Sequence, residues 1–207
     1  VLELEPSDIQ WSYSGLNHRG FLFDFHHQGE SLFDQLLDRL SDDTIGGITA
    51  EQIKDLGAVP LKYFKMLCNP ATATPARAEY LMDLREKIVL ELQRSPDESP
   101  PSLAQRYLEW YPQAVVPMIA ALNDDGVSTL VLNVTGEDGI ARESLTRISR
   151  SEFETLVPQT CPPAVVEWTQ IFERHERSFL QTIRLPNLEN VKQTLLLDPT
   201  VPDNRVD

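Results

Sequence analysis

The chain has 207 residues, of which 41% are hydrophobic, 24% charged and 8% aromatic. That composition supports one sizeable core and excludes a chain that is disordered throughout. A formal net charge of −14 repels phosphate backbones and anionic bilayers, so neither a nucleic acid nor a membrane is expected as a partner.

The opening segment, Val1–Gly15, alternates in places and carries Trp11 and Tyr13, which reads as one or two short strands. "SGLNHRG" follows, with Asn17 and Gly20 marking a turn, and His18 reads as a polar turn residue. "GFLFDF" then sets Phe21, Phe23 and Phe25 against Leu22 and Asp24, the pattern of a strand with one aromatic face. Leu32, Phe33, Leu36, Leu37 and Leu40 recur at helical spacing. After "IGG", Thr49 and Gln52 form a capping box with Ile48 placed to staple Ile53, and Gly57 closes that short helix. "VPLKYFKML" reads as another short helix, ended by Asn69 and Pro70.

The strongest helix starts with Thr74 as cap and Pro75 in the first position, and carries Leu81, Leu84, Ile88 and Leu92 along one side. Three prolines in Ser95–Ser102 make a loop. Ser102 and Gln105 suggest a second capping box, and Pro117–Leu122 a short helix. Two β-rich runs around "GEDG", Gly136–Gly139, predict an antiparallel hairpin from about Val127 to Ile148. Ser149 and Glu152 predict a helix running to about Val157. A long helix enters through Pro162 and Pro163, with Val165, Trp168, Phe172, Phe179 and Ile183 on one face. His175 falls near that face and reads as a half-buried, satisfied histidine. Asn187 caps a last helix.

These elements predict an α+β fold, helix-dominated, with the hairpin and short N-terminal strands. The expected organisation is a single globular domain over 1–198 and a polar tail over 199–207. Two lobes, 1–94 and 103–198 joined by 95–102, are the alternative.

Candidate chemistry concentrates in "FDFHHQGESLFDQLLDRLSDD". Glu30, Asp34, Asp38 and Asp42 follow every fourth residue, and with a helix starting near Gly29 the first three line one side. Imidazole from His26 or His27 with carboxylates from Glu30 and Asp34 would suit a divalent metal. A solvated helix face after a strand end is the simpler reading, so no cofactor is expected, with the metal ion as the alternative. Strict alternation puts His27 on the side of Phe25, and His26 on the polar side with Asp24.

GxSxG, P-loop, GxGxxG and HExxH motifs are absent from the sequence. Cys68 and Cys161 form neither CxxC nor zinc spacing, which favours reduced cysteines in an intracellular, cytoplasmic setting over a disulfide. Cys161 precedes a predicted helix start, which could lower its pKa. No apolar run approaches the length of a bilayer span, and the start at Val1 reads as a processed form or an excerpt.

The sequence therefore points away from an enzyme. It suggests a soluble regulatory or protein-interaction domain, part of a larger protein, whose acidic row at Glu30, Asp34, Asp38 and Asp42 meets a basic protein surface. The second reading is a metal-dependent or histidine-based hydrolase with His26 and His27 at its centre.

Overall fold

The computed structural model describes residues 4–40, 44–45, 47–61, 63–64, 67, 76–106, 111–123 and 126–201. The chain is an α+β domain. Its main sheet has the strand order Glu30–Ser31, Arg19–His27, Gln10–Leu16, Ala141–Ile148, Ser128–Thr135, with Val59–Pro60 added to the second of these and Phe153–Thr155 to the fourth, and the strand pairs among the described residues are antiparallel.

The N-terminal strands are β1 (Gln10–Leu16), β2 (Arg19–His27) and β3 (Glu30–Ser31). Helix α1 (Phe33–Arg39) follows, then the small pair β4 (Thr44–Ile45) and β5 (Ile48–Thr49), helix α2 (Ala50–Leu56) and β6 (Val59–Pro60). Thr49 and Gln52 form the expected reciprocal capping box, and Gly57 closes α2 in the left-handed region at φ 64°. Helix α3 (Ala76–Arg94) matches the strongest periodic stretch, although its predicted cap at Thr74 and Pro75 lies outside the described residues, as do Asn69 and Pro70.

Helix α4 (Val116–Asn123) leads into β7 (Ser128–Thr135) and β8 (Ala141–Ile148), the predicted hairpin, closed at Gly136–Gly139. Strand β9 (Phe153–Thr155) and helices α5 (Pro163–Arg184) and α6 (Leu188–Leu197) complete the domain. Asn187 caps α6 as expected, its Oδ1 accepting from the Asn190 N–H at 2.8 Å.

Four expectations give way to the structure. Residues 153–155, read as a helix, pair with β8 as a strand. Ser149 Oγ does accept from the Glu152 N–H at 3.1 Å, but the bond closes a turn rather than opening a helix. Ser102 and Gln105 sit in a single 3-10 turn, Pro101–Gln105, because the Glu91 carboxylate takes both the Ser102 N–H and its hydroxyl, at 2.8 and 2.6 Å. The start of "VPLKYFKML" is strand β6, hydrogen-bonded to β2, not helix.

The fourth concerns the aromatic row. Ser12 pairs with Phe23 and Gln10 with His26, so β2 carries one residue more than β1 over that interval. The bulge holds Asp24 at φ 59°. It turns Phe25 to the side of Leu22. Phe21 and Phe23 pack in one core cluster, and Leu22 and Phe25 against another built on Leu40, Ile48, Ile53 and Val59.

The first cluster lies between the sheet and α5. Phe21 meets Phe64 edge-on at 4.9 Å and stacks with Phe172 at 6.4 Å, while Phe64 meets Trp168 edge-on at 5.0 Å. Each such buried aromatic contributes roughly 1.5–3 kcal/mol relative to an exposed one. Val165 and Phe172 of α5 are buried there, whereas Phe179 and Ile183, predicted on the same face, are exposed. The chain end is tied back by Asp198, whose Oδ1 accepts from Arg19 Nη2 at 3.2 Å. His175 Nε2 lies 3.7 Å from Asp198 Oδ2. Residues 202–207 of the predicted tail lie outside the described residues.

Candidate functional site

The candidate site grows from the turn between β1 and β2. Leu16 pairs with Arg19, leaving Asn17 and His18 as a two-residue hairpin turn. Such a turn needs φ > 0 at both central positions to match the strand twist. Asn17 and His18 adopt φ 53° and 63°. Asparagine tolerates this readily, and glycine is the usual second residue. A histidine there carries a left-handed cost of order 1–3 kcal/mol, a kind of strain that collects at functional positions.

Surrounding bonds hold it. Glu143 of β8 lies opposite Gly15 of β1, and Gly15 lies opposite Gly20 of β2. Its carboxylate reaches the turn. Oε1 accepts from the His18 backbone N–H at 2.7 Å and lies 3.1 Å from His18 Nδ1. Oε2 accepts from the Tyr13 hydroxyl at 2.6 Å. Glu143 is only 7% exposed, so these donors offset the desolvation of its charge. Burial, then the hydrogen bond and charge of Glu143, push the Tyr13 hydroxyl far above the usual phenol range, which leaves it a neutral O–H donor. A proton on Nδ1 would let the imidazole donate to this carboxylate. The His18 side chain is 71% exposed.

A second ring joins this surface. Tyr63 lies with its ring centroid 5.9 Å from that of His18. It is placed by its neighbours: the Leu61 N–H bonds to the Gly20 carbonyl at 2.8 Å, and Phe64 is buried against Phe21 and Trp168. Arg19, next to His18, is fixed by Asp198 and by the Phe172 ring 5.2 Å from its guanidinium. Burial alone would raise the Asp198 pKa. The hydrogen bonds from Thr200, with the charges of Arg19 and His175, outweigh it and hold the carboxyl below its usual value.

The residues favoured from sequence stand elsewhere. His26 Nδ1 is 3.0 Å from the carbonyl oxygen of Asp24, and His27 Nδ1 3.1 Å from that of Asp8. Glu30 is in β3, paired with His27, and α1 begins only at Phe33. Glu30, Asp34 and Asp38 are exposed, but the helix is too short to set Glu30 in a row with the other two. Asp42 lies outside the described residues. Among the described residues no three of His, Cys, Asp and Glu converge as a metal site, so His26, Glu30 and Asp34 do not form the cluster that the alternative reading required. Cys161 is half-buried and burial pushes its thiol up, opposite to the activation considered for it. Cys68 lies outside the described residues.

In the sequence His18 reads as an ordinary turn residue. The local signal was an Asn-His pair where hairpins favour Asn-Gly. Its partner, Glu143, is 125 residues away along the chain, so no spacing rule could join them. An apolar groove of about 410 Å³ on α3, lined by Leu81, Leu84, Ile88 and Leu103 among others, brings no nucleophile or base together.

The hairpin turn between β1 and β2 thus holds His18 against a buried carboxylate. Residues 13–201 match the family 4 glycosyl hydrolase C-terminal domain, and the chain belongs to that family. This overturns the expectation of a non-enzymatic interaction or regulatory domain: the chain is of an enzyme family's C-terminal domain.

A comparison with curated protein sequences finds no match. Solved structures with the same fold include a 6-phospho-beta glucosidase from Thermotoga maritima with NAD and glucose-6-phosphate, at TM-score 0.76 and 18% identity over 96% of this chain and 51% of that one. The same enzyme with manganese, NAD+ and glucose-6-phosphate aligns at TM-score 0.76 and 17% identity, again over 96% and 51%. A 6-phospho-alpha-glucosidase from gut microorganisms with NAD and Mn2+ aligns at TM-score 0.69 and 15% identity, over 99% and 53%. At these identities the likeness shows the fold. The chain spans about half the length of each of these enzymes. Among the described residues, no helix is long and apolar enough to cross a membrane.

Proposed function

We propose that this chain is the C-terminal half of a glycosidase that acts on 6-phosphoglucosides and works with NAD and manganese. The match of residues 13–201 to the family carries this reading. The substrate class and cofactors come from the relatives of like fold, which include both an alpha- and a beta-glucosidase.

The chain's own residues fit such a role. His18 Nδ1 lies 3.1 Å from the Glu143 carboxylate, which would leave Nε2 for a metal, the arrangement that metal-binding histidines commonly have. It would supply one donor to manganese. The remaining donors and the dinucleotide site would lie in the half of these enzymes that this chain does not cover. When bound, manganese supplies Lewis-acid polarisation of a substrate oxygen and NAD accepts hydride.

Tyr63 gives the same surface a phenol able to take or return a proton near a sugar docked at the turn. Glu143 and Tyr13 keep the imidazole oriented, and the Arg19–Asp198 pair fixes the strand directly after it.

The test is hydrolysis of 4-nitrophenyl 6-phospho-alpha- and 6-phospho-beta-glucosides by the full-length protein. Turnover of one anomer is expected, dependent on NAD, abolished by chelation and restored by Mn2+. No turnover of either with both cofactors present overturns the reading.

A further inference from the structure

We propose that Tyr13, seated in a slot made by Gly15 and Gly20, is a positioning residue that sets the tautomer and aim of His18 through Glu143. The inference rests on the reading of His18 as a working ligand and names what makes it one.

Glu143, Gly15 and Gly20 stand in one row across β8, β1 and β2. Tyr13 is two residues before Gly15 and shares its face of the sheet. With no side chain at either glycine, the phenol lies flat along the row and brings its hydroxyl to Glu143 Oε2. A Cβ on Gly15 would stand 2.6 Å from the Tyr13 hydroxyl oxygen and 2.9 Å from Glu143 Oε2, and a Cβ on Gly20 would press on the same hydroxyl still more closely. Neither glycine has a positive φ, so the backbone does not require glycine at these sites. The space Tyr13 occupies does.

Tyr13 itself is 5% exposed, too buried to act on a sugar. Its hydroxyl is the only side-chain donor that any described hydrogen bond brings to Oε2. It therefore fixes the carboxylate's rotation, leaving Oε1 for the backbone N–H and Nδ1 of His18. A neutral imidazole in water favours the Nε2–H form, which hides the outward lone pair. Glu143, clamped by Tyr13, selects Nδ1–H and leaves Nε2 able to bind.

Tyr13→Phe removes one hydroxyl and keeps the ring. Two readouts on the full-length protein test the inference. The first is the ring 15N spectrum of His18 without metal at about pH 8, where a free imidazole is neutral, assigned by comparison with His18→Gln. The second is Mn2+ affinity from the EPR signal of the free ion. In the wild type His18 is expected as Nδ1–H. In Tyr13→Phe the Nε2–H form should gain, and Mn2+ should bind about 10-fold more weakly, within the range found for partners of metal-binding histidines. Glu143→Gln should move both readouts in the same direction.

A wild-type His18 in the Nε2–H form overturns the inference. So does a Tyr13→Phe protein that loses stability but keeps the wild-type ring spectrum. If the tautomer shifts as expected while the wild type binds no Mn2+, the positioning role stands and the metal reading of His18 fails.

Discussion

The two ends of β2 carry turns of the same kind. Asn17-His18 joins β1 to β2 and Gln28-Gly29 joins β2 to β3, each with positive φ at both central residues. Histidines lie at both ends. At the second turn His26 and His27 precede Gln28-Gly29, where a Cβ on the glycine would meet nothing within 4 Å, and their ring nitrogens contact the carbonyl oxygens of Asp24 and Asp8. At the first turn a histidine occupies the position glycine would fill, and a buried carboxylate from a distant strand holds it there. Histidines crowded in sequence turned out to be locally satisfied. The single one is gripped from across the sheet.

The largest stability effect is expected at Gly20. Gly20→Ala drives a methyl against the Tyr13 hydroxyl in a closed space and should cost roughly 1–3 kcal/mol, as overpacking does. Gly29→Ala, in open space, should cost only its left-handed backbone, about 1 kcal/mol. Urea midpoints of the two variants measure the difference, and equal losses would show that the slot is not tight.

A smaller effect is expected from pH at the first end. Asp198 has a depressed folded pKa, so its contribution is present above the unfolded aspartate value, about 3.9, and is lost as pH falls through the folded one. Acid should loosen the grip of the chain end on Arg19. Asp198→Asn should flatten this low-pH loss in thermal melts, and an unaltered acid limb would remove the anchor from the account.

The smallest effects belong to the second end. His26→Ala, His27→Ala and the charge reversals Asp34→Lys and Asp38→Lys touch exposed or half-exposed side chains, and each should change stability by no more than about 0.5 kcal/mol. A larger loss in thermal melts would mean that this turn carries more than its local bonds.

Much of the fold was legible because its signals are local. The box at Thr49 and Gln52, the cap at Asn187 and the hairpin around Gly136–Gly139 each lie within a few residues of one another. The misreadings have local causes as well. Ser149 and Glu152 make the bond a capping box needs, yet β8 supplies a strand partner and the turn leads into β9. The extra residue at Asp24 reversed the alternation of Phe25, and nothing in "FLFDFHH" announces a bulge. The site itself was not legible. Glu143 reads as one charged residue in a hairpin, and Gly15 and Gly20 as turn-flanking glycines, until the β1–β8 pairing sets them in a row.

Under the proposed function the β1–β2 turn, not the β2–β3 turn, carries the chemistry. The most direct measurement is kcat/KM of the full-length protein on the 6-phosphoglucoside it turns over, for His18→Gly and His26→Ala side by side. His18→Gly relieves the left-handed strain, so the fold should hold while kcat/KM falls by about 100-fold or more. His26→Ala should stay within about twofold of wild type. Full activity in His18→Gly, or a loss confined to His26→Ala, would contradict the account.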